Sequence, residues 1–226
     1  ARGRFGPMPD ATQLSHAAGE TTTPLLEETI GANLARTVER WPDREALVEV
    51  ASGRRWTWRE FDRDVDAVAR GLIGLGVAAG DRVGMWAPNC AEWTIIQFAA
   101  ARAGAILVNV NPSYRTHEFA YAVNQSGLRL LLAATSFKDS DYRAMVDQVS
   151  AAGEVPGLER TLYVDSPDWD TLVAAGAEVS AATLAEREAA LDPNDAINIQ
   201  YTSGTTGFPK GATLSHHNIL NNGYFV

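Results

Sequence analysis

Residues 202–211 (TSGTTGFPKG) combine the side chains that proteins use to bind phosphate. The stretch contains four hydroxyl side chains, three glycines and Lys210. Glycines let backbone N–H groups converge on an anion because no Cβ intervenes, hydroxyls add further donors, and lysine adds a mobile positive charge. Lys210 is also the only Lys or Arg after Arg187. The pattern predicts a loop that holds a polyphosphate and depends on Lys210 for local positive charge.

Two other interpretations of this stretch are weaker. A flexible Ser/Thr/Gly linker would need neither a lysine between Pro209 and Gly211 nor apolar strands on both sides. A Walker A loop has glycine directly before its lysine, whereas Pro209 stands there in this chain. Because proline fixes its own φ and favours an extended Phe208, the approach to Lys210 is expected to be stiff.

The segments around the loop predict an α/β fold with a largely parallel sheet flanked by helices. Apolar runs rich in Val, Ile and Leu alternate with helical patterns, as expected for a sheet covered on both faces. The predicted strands are 82–86, 105–110, 128–133, 161–164 and 196–201, and the predicted helices are 90–102, 116–125 and 139–151.

Further elements are predicted before the sheet and around the loop. A turn at 51–53 (ASG) joins two short strands, and Thr57 with Glu60 fits a capping box that opens an amphipathic helix. Residues 166–192 are expected to form one or two short helices. The phosphate loop is followed by a predicted strand, 212–215, and by a helix capped by Ser215.

The loop resembles the signature loop of the adenylate-forming superfamily, which includes acyl-CoA synthetases, adenylation domains of peptide synthetases and luciferases. The similarity extends in the family's order from residue 44 to residue 226, through WTWRE (56–60), GVAAGDRV (76–83), AGA (103–105), and LSH (214–216) with Asn218. Residues 109–114 (NVNPSY), followed by Glu118, are more similar to medium- or long-chain fatty acyl-CoA synthetases than to peptide-synthetase domains.

The resemblance implies a two-step reaction on small-molecule substrates. A carboxylate attacks the α-phosphate of ATP to give an acyl adenylate and pyrophosphate, and the thiol of CoA then displaces AMP; Mg²⁺ accompanies ATP. Lys210 is the implied catalytic residue, and no metal ligand is implied within the chain. The implied phosphate-binding residues are Thr202, Ser203, Gly204, Thr205, Thr206, Gly207 and Lys210.

The family continues for several hundred residues beyond the position of Val226. Residues 25–226 are therefore expected to be an incomplete N-terminal domain that is inactive alone, preceded by a loosely ordered leader, 1–24. Ile219, Leu220 and Phe225 of the last helix are expected to lack a packing partner. An aryl-CoA ligase, an acyl-AMP ligase and a non-catalytic nucleotide- or phosphate-binding module remain alternatives.

Composition excludes several other classes. The formal charge of −9, with no basic run beyond Arg54 and Arg55, argues against binding to nucleic acid. Cys90 is the only cysteine, so the chain has no internal disulfide, and a cytoplasmic setting is expected, with peripheral membrane association left open. The most apolar stretch, 93–110, contains Gln97 and Arg102 and is not expected to span a membrane. The oligomeric state is left open.

Three smaller motifs are interpreted as structural. The GLGVAA run (74–79) loosely fits a dinucleotide-binding fingerprint, but it follows a helix rather than a strand. Cys90 is expected to be a small buried residue. His216 and His217 are adjacent, so on a helix they point about 100° apart and are not expected to share a metal ion.

Overall fold

The computed structural model describes residues 22–202 and 209–226. Its main feature is a six-stranded sheet in the order β10-β9-β4-β3-β5-β8, in which β10 alone is antiparallel to its neighbour. In chain order the elements are α1 (Ile30–Arg40), β1 (Glu45–Glu49), β2 (Arg54–Thr57), α2 (Trp58–Gly74), β3 (Arg82–Trp86), α3 (Ala91–Ala103), β4 (Ile106–Asn109), α4 (Thr116–Ser126), β5 (Leu128–Ala133), β6 (Ser136–Phe137), β7 (Ser140–Asp141), α5 (Tyr142–Ala151), β8 (Arg160–Tyr163), α6 (Asp168–Ala174), α7 (Ala181–Ala189), β9 (Ala196–Thr202), β10 (Lys210–Ser215) and α8 (His216–Phe225).

The predicted fold class is confirmed, and so are most of the elements. Strands β3 and β5 have the predicted bounds, and β1 and β2 form the predicted antiparallel hairpin. The capping box of α2 is present, because the Thr57 hydroxyl accepts from the Glu60 N–H and the Glu60 carboxylate accepts from the Thr57 N–H. Ser215 and Asn218 form an equivalent box at the start of α8.

Two helix predictions need correction. Helix α5 begins at Tyr142 rather than at Asp139, because the residues before it form the short hairpin of β6 and β7. The side chain of Asp141 then accepts from the Ala144 N–H and caps the helix. Helix α1 was not predicted at all, although Thr29 caps it in the same way through the Ala32 N–H.

The expectation for the last helix was wrong for two of its three residues. Ile219 and Leu220 pack against a small buried cluster formed by Ile30, Ala101 and Ile197. Phe225 is 55% exposed. Helix α8 therefore has a packing partner in the amino-terminal part of the chain.

The sheet carries helices in two layers. Helices α2, α3, α6 and α7 pack together, and α4 packs with α5. Trp86 of β3 stacks on Phe119 of α4 and on Tyr142 of α5, with ring centroids 4.4 and 3.9 Å apart. The chain moves one way along the sheet from β3 to β4 and the opposite way from β4 to β5, so right-handed crossovers put α3 and α4 on opposite faces.

This change of direction defines where a ligand is expected. Loops that leave β3 and β4 toward opposite faces open a crevice at the carboxyl ends of the strands, the usual ligand site of an open α/β sheet. Strand β9 lies beside β4 and runs parallel to it, so the loop that follows Thr202 starts next to this crevice. In the described part of the chain, no helix is long and apolar enough to cross a membrane.

Candidate functional site

The two flanks of the predicted phosphate loop lie opposite each other. Strands β9 and β10 pair antiparallel, with Thr202 opposite Lys210. The Thr202 hydroxyl donates to the Lys210 carbonyl oxygen at 3.4 Å. Both residues are exposed. The structure thus brings together the first and last predicted phosphate-binding residues at the carboxyl end of β9. Ser203, Gly204, Thr205, Thr206 and Gly207 lie outside the described residues.

Helix α4 contacts both flanks of the loop. The Tyr201 hydroxyl donates to the Ala122 carbonyl at 3.1 Å, and the Tyr121 hydroxyl donates to the Pro209 carbonyl at 3.3 Å. Burial raises the pKa of Tyr201 to about 12, so this hydroxyl keeps its proton at neutral pH. Sequence reasoning missed both contacts, because each joins residues about 80 or more positions apart in the chain.

A row of amide side chains joins β9 to β4 below the loop. Asn198 is 3% exposed and donates to the Leu107 carbonyl at 3.1 Å and to the Asn109 side-chain oxygen at 3.2 Å. Asn109 in turn donates to the Gln200 side-chain oxygen at 2.6 Å. Because buried amides are costly unless they are paired, this row favours one register of β9 against β4. It thereby helps to fix the end of β9, where the predicted phosphate loop begins.

The loop between β4 and α4 lies at the same end of the sheet and is held by two aromatic side chains. The Trp86 indole N–H donates to the Asn111 carbonyl at 3.0 Å, and the Tyr142 hydroxyl donates to the Pro112 carbonyl at 2.5 Å. Both ring systems are fully buried. Burial also raises the pKa of Tyr142 to about 12, which keeps its hydroxyl a donor. These two hydrogen bonds tie the backbone of Asn111 and Pro112 to the buried aromatic side chains.

The GLGVAA run (74–79) follows a helix as expected, whereas Cys90 is only partly buried instead of the buried residue that was expected. Gly74 ends α2, and a Cβ there would lie 1.9 Å from the Ala175 carbonyl oxygen, so this glycine permits close packing between segments. Burial raises the pKa of Cys90 to about 11, which keeps the thiol protonated and unreactive. His216 is fully buried, and its Nδ1 accepts from the Ile30 N–H at 3.2 Å.

The described residues offer no metal centre of their own. Within 22–202 and 209–226, no group of three or more His, Cys, Asp or Glu residues is arranged to hold a metal ion. The Mg²⁺ that is expected with ATP therefore finds no set of three such ligands among these described residues.

The mainly parallel sheet, with its change of direction between β3 and β4, defines a class: open, doubly wound α/β proteins. Within that class, the chain belongs to the AMP-binding enzyme family, whose model matches residues 34–226.

Similar proteins agree with this family. The medium-chain acyl-CoA ligase ACSF2, mitochondrial, of Danio rerio is 42% identical over 94% of this chain, and the putative acyl-CoA synthetase YngI of Bacillus subtilis is 37% identical over 88%. The N-terminal domain of FACL13 from Mycobacterium tuberculosis, solved with an inhibitor, superposes with a TM-score of 0.65 at 26% identity, covering 84% of this chain and 44% of that one. The chain spans 38% and 39% of the two full-length relatives.

Proposed function

We propose that this chain is part of an enzyme that uses ATP to activate a carboxylic acid, most specifically a medium-chain fatty acid, and transfers the acyl group to CoA. The observation that carries the proposal is the pairing of Thr202 with Lys210 at the carboxyl end of β9, in a chain of the AMP-binding family. The acid class is taken from the medium-chain ligases among its relatives.

The first step forms a bond between a carboxylate oxygen and the α-phosphorus of ATP. The bond from that phosphorus to the bridging oxygen breaks, and pyrophosphate leaves with the electron pair. In the second step the sulfur of CoA attacks the acyl carbon, AMP leaves, and the thiol proton passes to a base. Both steps move negative charge onto a departing phosphate group.

In this proposal the loop stabilises the departing charge. The set Thr202, Ser203, Gly204, Thr205, Thr206, Gly207 and Lys210 binds the β- and γ-phosphates through hydroxyl, backbone and ammonium donors. Lys210 contributes a positive charge, and its attraction to pyrophosphate strengthens as negative charge accumulates on that leaving group. A fixed set of donors costs no reorganisation during the reaction, and the hydrogen bonds that tie both flanks of the loop to α4 support this role.

The test compares the only two lysines of the chain in the full-length enzyme. Lys210→Ala is expected to slow acid-dependent exchange of pyrophosphate into ATP by roughly 10- to 150-fold, the equivalent of about 1.5–3 kcal/mol for a charge-assisted hydrogen bond. The affinity for the carboxylic acid should change much less. Lys138→Ala is the matched control. Lys138 lies in the turn between β6 and β7, which follows β5, and β5 is the third strand from β9 in the sheet.

Unchanged exchange in Lys210→Ala would refute the role of the loop. The same assay with medium-chain, long-chain and aryl acids, and with CoA or an acyl carrier protein as acceptor, separates the proposal from the aryl-CoA and acyl-AMP ligase alternatives. Phosphate or ATP binding without any exchange would identify a non-catalytic binding module.

A further inference from the structure

We propose that Tyr121 is a positioning residue for Lys210, acting through the backbone carbonyl of Pro209. This inference rests on the proposed function of the loop, because it concerns how the lysine of that loop is presented to phosphate. It adds a residue of α4, far from the loop in sequence, to the groups on which phosphate binding depends.

The first support is the place of the contact. Pro209 directly precedes Lys210, and its carbonyl is the last backbone acceptor before the lysine. Proline has no N–H to donate to the neighbouring strand, so this residue is held to its surroundings only through its carbonyl and ring. The Tyr121 hydroxyl donates to that carbonyl at 3.3 Å. The orientation of the peptide unit that joins Pro209 to Lys210 is thereby coupled to α4.

The second support is that Tyr121 is itself held in place. The Gln125 side-chain amide donates to the Tyr121 hydroxyl oxygen at 2.8 Å, one helical turn further along α4. A hydroxyl that accepts one hydrogen bond becomes a better donor in the next, so the chain Gln125, Tyr121, Pro209 is mutually reinforcing. The donor that faces the loop therefore does not need to be ordered when ligand binds.

The third support is that α4 holds both flanks with consecutive residues. Ala122, directly after Tyr121, accepts from the Tyr201 hydroxyl on the β9 flank. One turn of α4 thus contacts the end of β9 and the residue before β10, the two flanks of the loop. Removing the Tyr121 hydroxyl removes the contact to Pro209 beside the β10 flank, which carries Lys210, and leaves the contact of Tyr201 with Ala122 on the β9 flank in place.

The decisive variant is Tyr121→Phe, which removes one oxygen and keeps the ring. Tyr163→Phe is the matched control, since Tyr163 is equally aromatic, 6% exposed, and lies on β8 at the opposite edge of the sheet. In the full-length enzyme, Tyr121→Phe is expected to raise the KM for ATP by roughly 2- to 10-fold, the equivalent of one neutral hydrogen bond. The KM for the carboxylic acid should stay within a factor of two.

A second measurement does not depend on activity. In Tyr121→Phe, hydrogen–deuterium exchange of peptides covering 209–215 should accelerate by roughly 2- to 10-fold, the factor expected for the KM for ATP. Exchange of peptides covering 216–226 should not change. Gln125→Met, which removes the donor behind the tyrosine, should shift both measurements in the same direction by a smaller factor.

The outcomes separate the two proposals. Unchanged exchange at 209–215, or an equal rise in the KM values for ATP and for the acid, would overturn the positioning role of Tyr121. If no protein variant, including the parent, catalyses acid-dependent pyrophosphate exchange, the proposed function fails while the deuterium measurement still decides whether Tyr121 holds the β10 flank.

Discussion

The two ends of β10 show how one short strand can serve two purposes. At its beginning, Lys210 is exposed and stands opposite the exposed Thr202. At its end, Ser215 opens α8, in which His216 and Asn221 are buried polar residues. Asn221 accepts from the Leu26 N–H at 2.8 Å and donates to the Leu26 carbonyl at 3.0 Å, while His216 accepts from the Ile30 N–H.

The difference lies in what each set of polar groups is paired with. At the α8 end, the Asn221 side chain and the Nδ1 atom of His216 are paired with backbone groups of Leu26 and Ile30, so these hydrogen bonds stabilise the fold. Polar groups at the Lys210 end are exposed, and their loss should cost little folding free energy. The comparison predicts that substitutions at one end change stability and that substitutions at the other change phosphate binding.

The largest effect on stability is expected at Asn221. Asn221→Ala removes the side chain that pairs with both backbone groups of Leu26 and should lower the free energy of unfolding by roughly 1–3 kcal/mol, because these groups lose their buried partners. Asn222→Ala is the control, since Asn222 is the next residue and is exposed. Urea unfolding measures both. Equal midpoints for the two variants would contradict the division between the ends of β10.

An intermediate effect is expected at Gly211, which lies between the two ends. A Cβ at Gly211 would lie 2.9 Å from the Ile199 side chain and 3.6 Å from the Tyr201 ring. Gly211→Ala should therefore push β10 away from β9, destabilise the protein by about 1 kcal/mol through overpacking, and also weaken ATP binding. Gly223→Ala in α8 has open space around its Cβ and should be neutral or slightly stabilising. A normal KM for ATP in Gly211→Ala would show that the strand pairing does not set the loop.

The smallest effect is a dependence of stability on pH that arises at His216. Burial lowers the pKa of His216, against a smaller opposing effect of Asp195 and Asp192. The unfolded chain then binds more protons than the folded one below about pH 6.5, so the free energy of unfolding should fall as pH drops through that value and level off below the folded-state pKa.

Urea unfolding between pH 7.5 and 5 measures this dependence. His216→Asn retains an acceptor for the Ile30 N–H but does not titrate, so it should lose part of the slope. Parallel curves for the parent and the variant would show that His216 is not the group responsible.

Local patterns in the sequence were sufficient for much of the fold. Thr57 with Glu60 marks the start of α2, and the apolar runs of β3 and β5 give their bounds, because capping and strand periodicity are properties of neighbouring residues. The start of α5 was misplaced because Asp139, Ser140 and Asp141 are all plausible caps. Only the pairing of β6 with β7 selects Asp141.

The residues of the candidate site could be predicted from the sequence, but the long-range hydrogen bonds that hold its flanks could not. The Gly/Ser/Thr run and Lys210 identify the loop, and its strand flanks follow from the apolar residues on both sides. Nothing near Tyr121 or Asn109 in the sequence shows that they contact Pro209 and Gln200, since those contacts exist only once β9 has taken its place beside β4. Likewise, nothing near His216 in the sequence shows that it accepts from the Ile30 N–H, since that contact exists only once α8 packs against the start of α1.

The hydrogen bonds between Leu26 and Asn221 join residues 195 positions apart, which has a consequence for how the protein is made. Synthesis at about 5–20 residues per second separates the two residues by roughly 10–40 s on the ribosome. During this interval the strands and helices from β1 to β5 can already form, while the backbone N–H and carbonyl of Leu26 still lack the Asn221 side chain. The order of synthesis therefore makes the attachment of the amino-terminal segment one of the last events of folding, after the phosphate loop itself has been made.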